Sequence, residues 1–304
     1  MSSDAPDAEE SRVSGTESFK SFISGGVGGV CAVLVGHPFD LTKTRLQTAA
    51  PGTYTGAIDV VKKTVRLDGA TGLYRGIVPP LLGITPIFAI SFWAYDAGKQ
   101  LIFSLTPGRK SDKLSTAELA TAGFMSAVPA TLVTAPVERA KVLLQVQGQG
   151  QGEQKYKGVT DVLRQLYKEG GLRSIYRGTT ATLARDGPGS AAYFAAYEVT
   201  KKYLTPAGSS PADLNLGAII VAGGTAGIAM WAIAIPPDVI KSRIQSAPTG
   251  TYTGFLDCVR KTVAVDGVTA LWKGFGPAMA RAFPANAATF LGVEASRKIL
   301  DKLF

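Results

Sequence analysis

Six long stretches dominated by apolar side chains divide the chain, roughly at 19–47, 78–104, 115–146, 179–204, 214–246 and 276–302. A helix needs about 20 mostly apolar residues to cross a hydrocarbon layer. Each stretch is therefore predicted to be a membrane-spanning helix, with charged ends projecting beyond the apolar part. Three shorter segments alternate with them: AIDVVKKTVRLDG from Ala57, VTDVLRQLYKEGG from Val159 and FLDCVRKTVAVDG from Phe255. In these, apolar residues recur at helical spacing and basic residues take the other face, which predicts amphipathic helices lying along a membrane surface.

The pattern repeats three times. Pro38, Pro136 and Pro236 open the strings PFDLTKTRLQ, PVERAKVLLQ and PPDVIKSRIQ, with the common form P-x-(D/E)-x-x-(K/R)-x-x-x-Q. The acids are Asp40, Glu138 and Asp238, the bases Lys43, Lys141 and Lys241, and the glutamines Gln47, Gln145 and Gln245. Each proline lies near the far end of an odd-numbered stretch, where a kink is expected. Thirteen residues earlier stand Gly25, Gly123 and Gly223, each followed four later by Gly29, Ala127 or Gly227, a spacing that suits close helix packing. Downstream come Y-x-G-x-x-D strings at Tyr54, Tyr156 and Tyr252, then YRG at Tyr74, YRG at Tyr176 and WKG at Trp272. The even-numbered stretches end on Tyr95-Asp96-x-x-Lys99, Tyr197-Glu198-x-x-Lys201 and Val293-Glu294-x-x-Arg297. This divides the chain into a tail at 1–17 and repeats at 18–108, 109–208 and 209–304.

Composition narrows the reading. Charged residues make up 18% of the 304, below the roughly 25% of soluble domains. The net charge is +9, while residues 1–17 carry −4 and no apolar run. That tail reads as disordered, and as neither a secretory signal nor an Arg-rich transit peptide. A basic surplus fits an anionic lipid or solute; six apolar stretches argue against a nucleic-acid partner. Cys31 and Cys258 are expected to be two separate small thiols, not a disulfide or zinc framework. One histidine, no nucleophile motif and no phosphate loop indicate a non-enzyme without cofactor or metal.

The threefold proline strings resemble the mitochondrial carrier family over essentially all of residues 19–302. The resemblance implies an all-α membrane fold: six transmembrane helices in a threefold pseudosymmetric barrel, with three short amphipathic helices on the matrix side of the mitochondrial inner membrane. It implies a monomer that binds cardiolipin at the helix starts marked by Gly56, Gly76, Gly158, Gly178, Gly254 and Gly274, where free backbone N–H groups suit phosphate. If the odd-numbered helices converge, the acid of one can meet the base of the next. Asp40, Glu138 and Asp238 with Lys43, Lys141 and Lys241 then close a matrix gate, and each of Gln47, Gln145 and Gln245 can brace a pair. Asp96, Glu198 and Glu294 with Lys99, Lys201 and Arg297 would close a cytoplasmic gate, supported by Tyr95 and Tyr197. Two gates that cannot close together give alternating access.

Substrate choice is expected where the threefold pattern breaks. Span four holds Arg185 and Asp186, span six holds Arg281, and span two has uncharged Gly83 at the matching place. One acid and two bases at mid-membrane depth suggest a small zwitterionic solute facing a watery cavity. The alternative is that Arg185 and Asp186 neutralise each other, although neighbouring helical residues diverge by about 100°. The strings GITPIFA, RDGPGSAAYF, AIPPDVIKSR and RAFPANAATFLG resemble the branch of the family that exchanges carnitine and acylcarnitines. A carboxylate would suit Arg281, and a trimethylammonium would suit Asp186 with aromatic faces from Trp93, Tyr193 or Trp231. Gly83, Gly187 and Gly189 would leave room for an acyl chain. His37, beside Pro38, serves either substrate or the local kink. The alternatives are a basic amino-acid carrier of the same family and a proton-leak conduit.

Overall fold

The computed structural model describes residues 15–106, 116–149, 155–205 and 216–303. Among these residues there are nine α-helices and no strand. Six are long: α1 (Gly15–Thr48), α3 (Val78–Leu105), α4 (Thr116–Val146), α6 (Thr179–Leu204), α7 (Leu216–Ser246) and α9 (Phe275–Leu303). Three are short or broken: α2 (Ala57–Asp68), α5 (Val159–Ile175) and α8 (Phe255–Asp266). The long helices begin and end within a few residues of the apolar stretches. The exception is α1, which starts at Gly15, inside the segment read as a disordered tail; residues 1–14 lie outside the described residues. Even the 26-residue α6 extends about 39 Å at roughly 1.5 Å per residue, more than the ~30 Å of a hydrocarbon layer.

By hydropathy alone, Phe22–Thr48 and Val221–Ser246 are long and apolar enough to cross a membrane. The outward surface extends this: Phe283, Phe290, Leu82 and Leu132 are all exposed, at 83%, 74%, 66% and 59%. Large apolar side chains left exposed on several of the long helices suit a surface that faces lipid.

The long helices pair across repeats. α1 lies along α9, α3 along α4 and α6 along α7, whereas the two long helices of one repeat touch little. Small residues allow the close approach. A methyl at Gly28 would meet the Thr289 carbonyl at 2.9 Å, and one at Gly292 would meet Cys31 Sγ at 2.8 Å. Gly83 meets Val137 on α4 at 2.9 Å, and Gly189 meets Ala234 on α7 at 3.3 Å. The stripe expected from sequence is not the packing face: Gly25, Gly223 and Gly227 face open space, and only Gly29 meets a neighbour, Ile84. The side chains at 123 and 127 lie outside the described residues.

α1, α4 and α7 also touch one another. Each runs unbroken through its motif proline. Proline lacks the N–H that would bond the carbonyl four residues earlier. For Pro136 that carbonyl is on Leu132, and the Tyr176 hydroxyl donates to it at 3.0 Å. The first residue of the YRG string thus has a structural role in this repeat.

The short helices start as the Y-x-G-x-x-D strings dictate. Gly56, Gly158 and Gly254 are the N-caps. The acid three residues on accepts the backbone N–H just before the cap, at 3.0 Å: Asp59 from Thr55, Asp161 from Lys157 and Asp257 from Thr253. These N–H bonds and the adjoining side-chain donors hold all three carboxyls below the usual carboxylate range. The short helices pack inward through Leu143, Leu144, Val162 and Leu166 in repeat two, and through Ile240, Ile244 and Cys258 in repeat three. Cys258 is fully buried, Cys31 partly, and both are free thiols.

Candidate functional site

Where α1, α4 and α7 converge, the three proline strings form one ring of ion pairs. Lys141 Nζ lies 2.6 Å from Asp40, Lys241 Nζ 2.8 Å from Glu138 and Lys43 Nζ 2.8 Å from Asp238. Each base reaches the acid of a different repeat: three residues apart, the acid and base of one helix share a face, and the convergence of α1, α4 and α7 turns that face to the neighbouring helices. Asp238 is the most enclosed acid, at 1% exposure. Buried charges of this kind are tolerable only when paired and further hydrogen-bonded.

The glutamines are not equivalent. Gln47 donates to Asp238 at 3.0 Å and accepts from the Ser242 hydroxyl at 2.8 Å. Gln145 and Gln245 are equally buried, yet their amides have no hydrogen-bond partner among the described residues. The expectation of three braces thus reduces to one. The position of Ser242 accounts for part of the difference: at the same offset repeat two has Val142, which carries no hydroxyl, and repeat one has Thr44, whose hydroxyl donates to the Asp40 carbonyl at 2.9 Å. All three glutamines do share one packing role. Gln47, Gln145 and Gln245 lie against Gly274, Gly76 and Gly178 of the neighbouring repeat. Those glycines have φ of 89°, 76° and 94°, and a methyl at Gly76 would stand 2.9 Å from the Lys141 carbonyl. Only glycine meets both demands.

A second layer lies below the ring, made of residues the sequence reading passed over. Arg45 donates to the Gln145 carbonyl and to Thr64 at 2.9 and 2.8 Å. Arg243, at the same offset in repeat three, donates to the Gln47 carbonyl at 2.9 Å and also holds Thr262 and Asp266. The bases of the YRG strings also cross between repeats: Arg75, beside Arg45 at the first seam, reaches Asp68 at 2.7 Å and the Gln147 carbonyl at 3.3 Å, and Arg177, between repeats two and three, reaches the Ala247 and Pro248 carbonyls at 3.1 Å. The shared offset of Arg45 and Arg243 was a visible signal. Their acceptors are backbone carbonyls, which no residue pattern marks.

A cavity of about 310 Å³ has the ring as its floor. Its wall adds Arg185 and the apolar Val33, Ile84, Ile87 and Val137. Both pattern-breaking arginines engage the ring. Arg281 Nε lies 2.9 Å from Asp40, an ion pair by distance although the N–H is not aligned for a hydrogen bond. Arg185 Nη1 sits between Asp238 and Glu138, at 3.3 and 3.4 Å, and its Nε donates to Asp186 at 2.7 Å. The pairing judged awkward from helix geometry therefore forms, because the long arginine side chain folds back past its own backbone. Asp186 remains 43% exposed at its side chain.

The other candidates are placed less centrally. Trp231 receives Lys43 Nζ over its ring at 5.0 Å and packs on the Ile235, Val239 and Ala278 cluster beside the ring. Trp93 is 65% exposed, and the side chain of Tyr193 and the surroundings of Gly187 itself are not among those described, although Asp186 and Gly189 beside it are. Gly83 and Gly189 serve the helix contacts given above, so they close space where an acyl chain was to find room. His37 is buried, with Nε2 2.8 Å from the Arg75 carbonyl and its ring stacked on Tyr74 at 6.2 Å. Of its two expected roles, the local structural one matches this placement.

At the opposite ends of the helices, Glu294 pairs with Lys298 on its own helix at 2.8 Å. Lys201 lies over the Tyr197 ring at 5.2 Å, and Lys20 joins Asp301 across α1 and α9 at 2.8 Å. The side chains of Tyr95, Asp96 and Glu198 lie outside the described residues. Lys99 and Arg297 have partners of their own.

Comparison with known proteins fits this arrangement. The family model described as "Mitochondrial carrier protein" matches residues 14–105, 112–208 and 212–303. A mitochondrial carnitine/acylcarnitine carrier protein of Mus musculus is 48% identical over 290 residues, covering 93% of this chain and 95% of its own. The mitochondrial carnitine carrier of Saccharomyces cerevisiae is 44% identical over 300 residues, covering 94% and 89%. A Drosophila melanogaster protein named mitochondrial magnesium exporter 1 is 44% identical over 290 residues, covering 92% and 94%. With three matched repeats, and relatives of this identity over nearly its whole length, the chain belongs to the mitochondrial carrier family.

Proposed function

We propose that this chain exchanges carnitine and acylcarnitines by alternating access through one central site. As a mitochondrial carrier it is a multi-pass transporter of the mitochondrial inner membrane, not an enzyme. The six long helices form the barrel, the short helices lie on the matrix side, and the proline-string ring is the matrix gate, drawn shut. The charged positions at the opposite ends form the cytoplasmic gate; of these, Glu294 is paired with Lys298 on its own helix. Gly56, Gly158 and Gly254, which cap the short helices, remain the candidates for a cardiolipin phosphate.

The observation that carries the reading is the convergence of the three pattern-breaking charges on the gate itself. Arg281 is held by Asp40, and Arg185 by Asp186, Glu138 and Asp238. A substrate carboxylate taken by Arg281 competes with Asp40. A trimethylammonium taken by Asp186 releases Arg185. The solute thus exchanges its own contacts for those that hold the ring, which couples occupancy to gate opening and favours exchange over leak. The aromatic face of Trp231 beside the ring offers a second contact for the cation.

The fly relative's name raises a divalent-cation reading. The ring acids argue against it, since each already faces a lysine and an arginine. Reconstituted into liposomes, the protein should exchange labelled carnitine against internal carnitine and acylcarnitines. Uptake of ornithine or release of Mg²⁺ in place of carnitine exchange would refute the assignment.

A further inference from the structure

The seam between the second and third repeats differs from the other two. In repeats one and three, Arg45 and Arg243 cross to a backbone carbonyl of the next repeat and bond a threonine of the adjoining short helix. In repeat two the matching positions are Leu143 and Leu166, which pack together in an apolar cluster. The guanidinium there has moved four residues back, to Arg139, where the other repeats have Leu41 and Val239. Arg139 is 2% exposed, and its Nε and Nη1 have no hydrogen-bond partner among the described residues.

That side chain lines a cavity of about 500 Å³, separate from the central one. One wall belongs to repeat two, with Tyr156 and the Lys155–Glu169 pair, whose atoms are 2.9 Å apart. The other wall is the chain at 246–249 of repeat three, fixed by Arg177 through the Ala247 and Pro248 carbonyls. Glu169 is the one carboxylate of the lining and is already paired with Lys155, while Arg177 adds a further positive charge near Arg139, so the cavity carries a positive surplus. A buried guanidinium without acceptors costs several kcal/mol of desolvation, and a charged group in that setting is a strong attractor for a counter-ion. Guanidinium takes planar or tetrahedral oxyanions through parallel N–H bonds.

We propose that this cavity binds a small phosphate- or carboxylate-class oxyanion, held by Arg139 at its base and Lys155 at its edge. The anion supplies the inter-repeat latch that Arg45 and Arg243 supply at the other seams. Because the two walls come from different repeats, bound anion favours the state with the proline-string ring closed. The site does not involve the transported solute, so it stands or falls apart from the substrate assignment.

The test uses the full chain purified in detergent, with thermal unfolding followed while inorganic phosphate is titrated against equal ionic strength of chloride. A second series titrates an anionic phospholipid, which separates a lipid headgroup from a free anion as the source. At about tenfold excess over its dissociation constant, phosphate should raise the midpoint by roughly 3 °C. Arg139→Leu, which installs the residue of repeat one, should fold and lose the response. Arg139→Lys should need about tenfold more phosphate. Lys155→Gln, at an exposed site, should raise the half-effect concentration about threefold without changing the midpoint in chloride. A response to phospholipid that also requires Arg139 supports the same oxyanion site with a lipid donor. No rise in wild type from either source beyond chloride, or a full rise retained in Arg139→Leu, would overturn the proposal.

Discussion

Replacing each ring glutamine in turn by leucine separates a brace from a filler. Gln47 gives one hydrogen bond to a buried carboxylate and takes one from Ser242. A bond to a charged group contributes about 1.5–3 kcal/mol, and a neutral one about 1. Gln47→Leu should therefore weaken the closed ring by roughly 2.5–4 kcal/mol, about a 60- to 700-fold shift of the gate equilibrium at 1.4 kcal/mol per decade. Gln145 and Gln245 make no such bonds. Replacing a buried, unpartnered amide by an apolar group of similar shape is nearly neutral or stabilising. Single cysteines in the central cavity, probed from the matrix side with an impermeant maleimide in proteoliposomes, report the gate directly. Matrix-side labelling should rise strongly for Gln47→Leu and stay near wild type for the other two. Equal rises at all three positions would refute the asymmetric brace and restore the threefold one.

Gly76→Ala and Gly178→Ala force a side chain into positive φ and against the glutamine of the next repeat. Each should lower stability by about 1–3 kcal/mol, seen as an earlier thermal midpoint, whereas Gly56→Ala, which meets open space, should not. Asp186→Asn removes the proposed counter-charge and leaves Arg185 to the ring acids; losing the contact of a half-exposed carboxylate with the substrate cation, about 1–2 kcal/mol, predicts roughly a 5- to 30-fold fall in carnitine exchange. Asp186→Glu should retain part of the rate, and unchanged exchange in Asp186→Asn would remove that residue from the site. Burial raises the Cys258 thiol above its ordinary pKa, so it holds less thiolate at neutral pH and should resist alkylation until the protein unfolds. Mass spectrometry after a maleimide pulse checks this, with rapid native-state labelling of Cys258 the contrary result.

The helices and their threefold order were readable from residue order because both are local. Apolar length marks the six long helices, and Y-x-G-x-x-D writes the start of each short one through bonds reaching only four residues. The ring partners followed once the odd-numbered helices were taken to converge, since an acid and a base on one face of each helix then meet those of its neighbours. What depends on three-dimensional packing was beyond that reach. Equal spacing made Gln47, Gln145 and Gln245 look alike, yet among the described residues only Gln47 meets a hydroxyl and a ring carboxylate. Gly25, Gly223 and Gly227 of the glycine stripe face open space, while Gly28 and Gly292 carry the contact of α1 with α9, because rotation about the helix axis is set by the neighbour and not by the spacing. Arg185 turns onto Asp186 and two ring acids through a long side chain whose rotamer no pattern specifies. Arg139 shows the same limit from the other side: the sequence lists an arginine where its sister repeats have Leu41 and Val239, but that it is buried and opens on a cavity is a property of two repeats meeting.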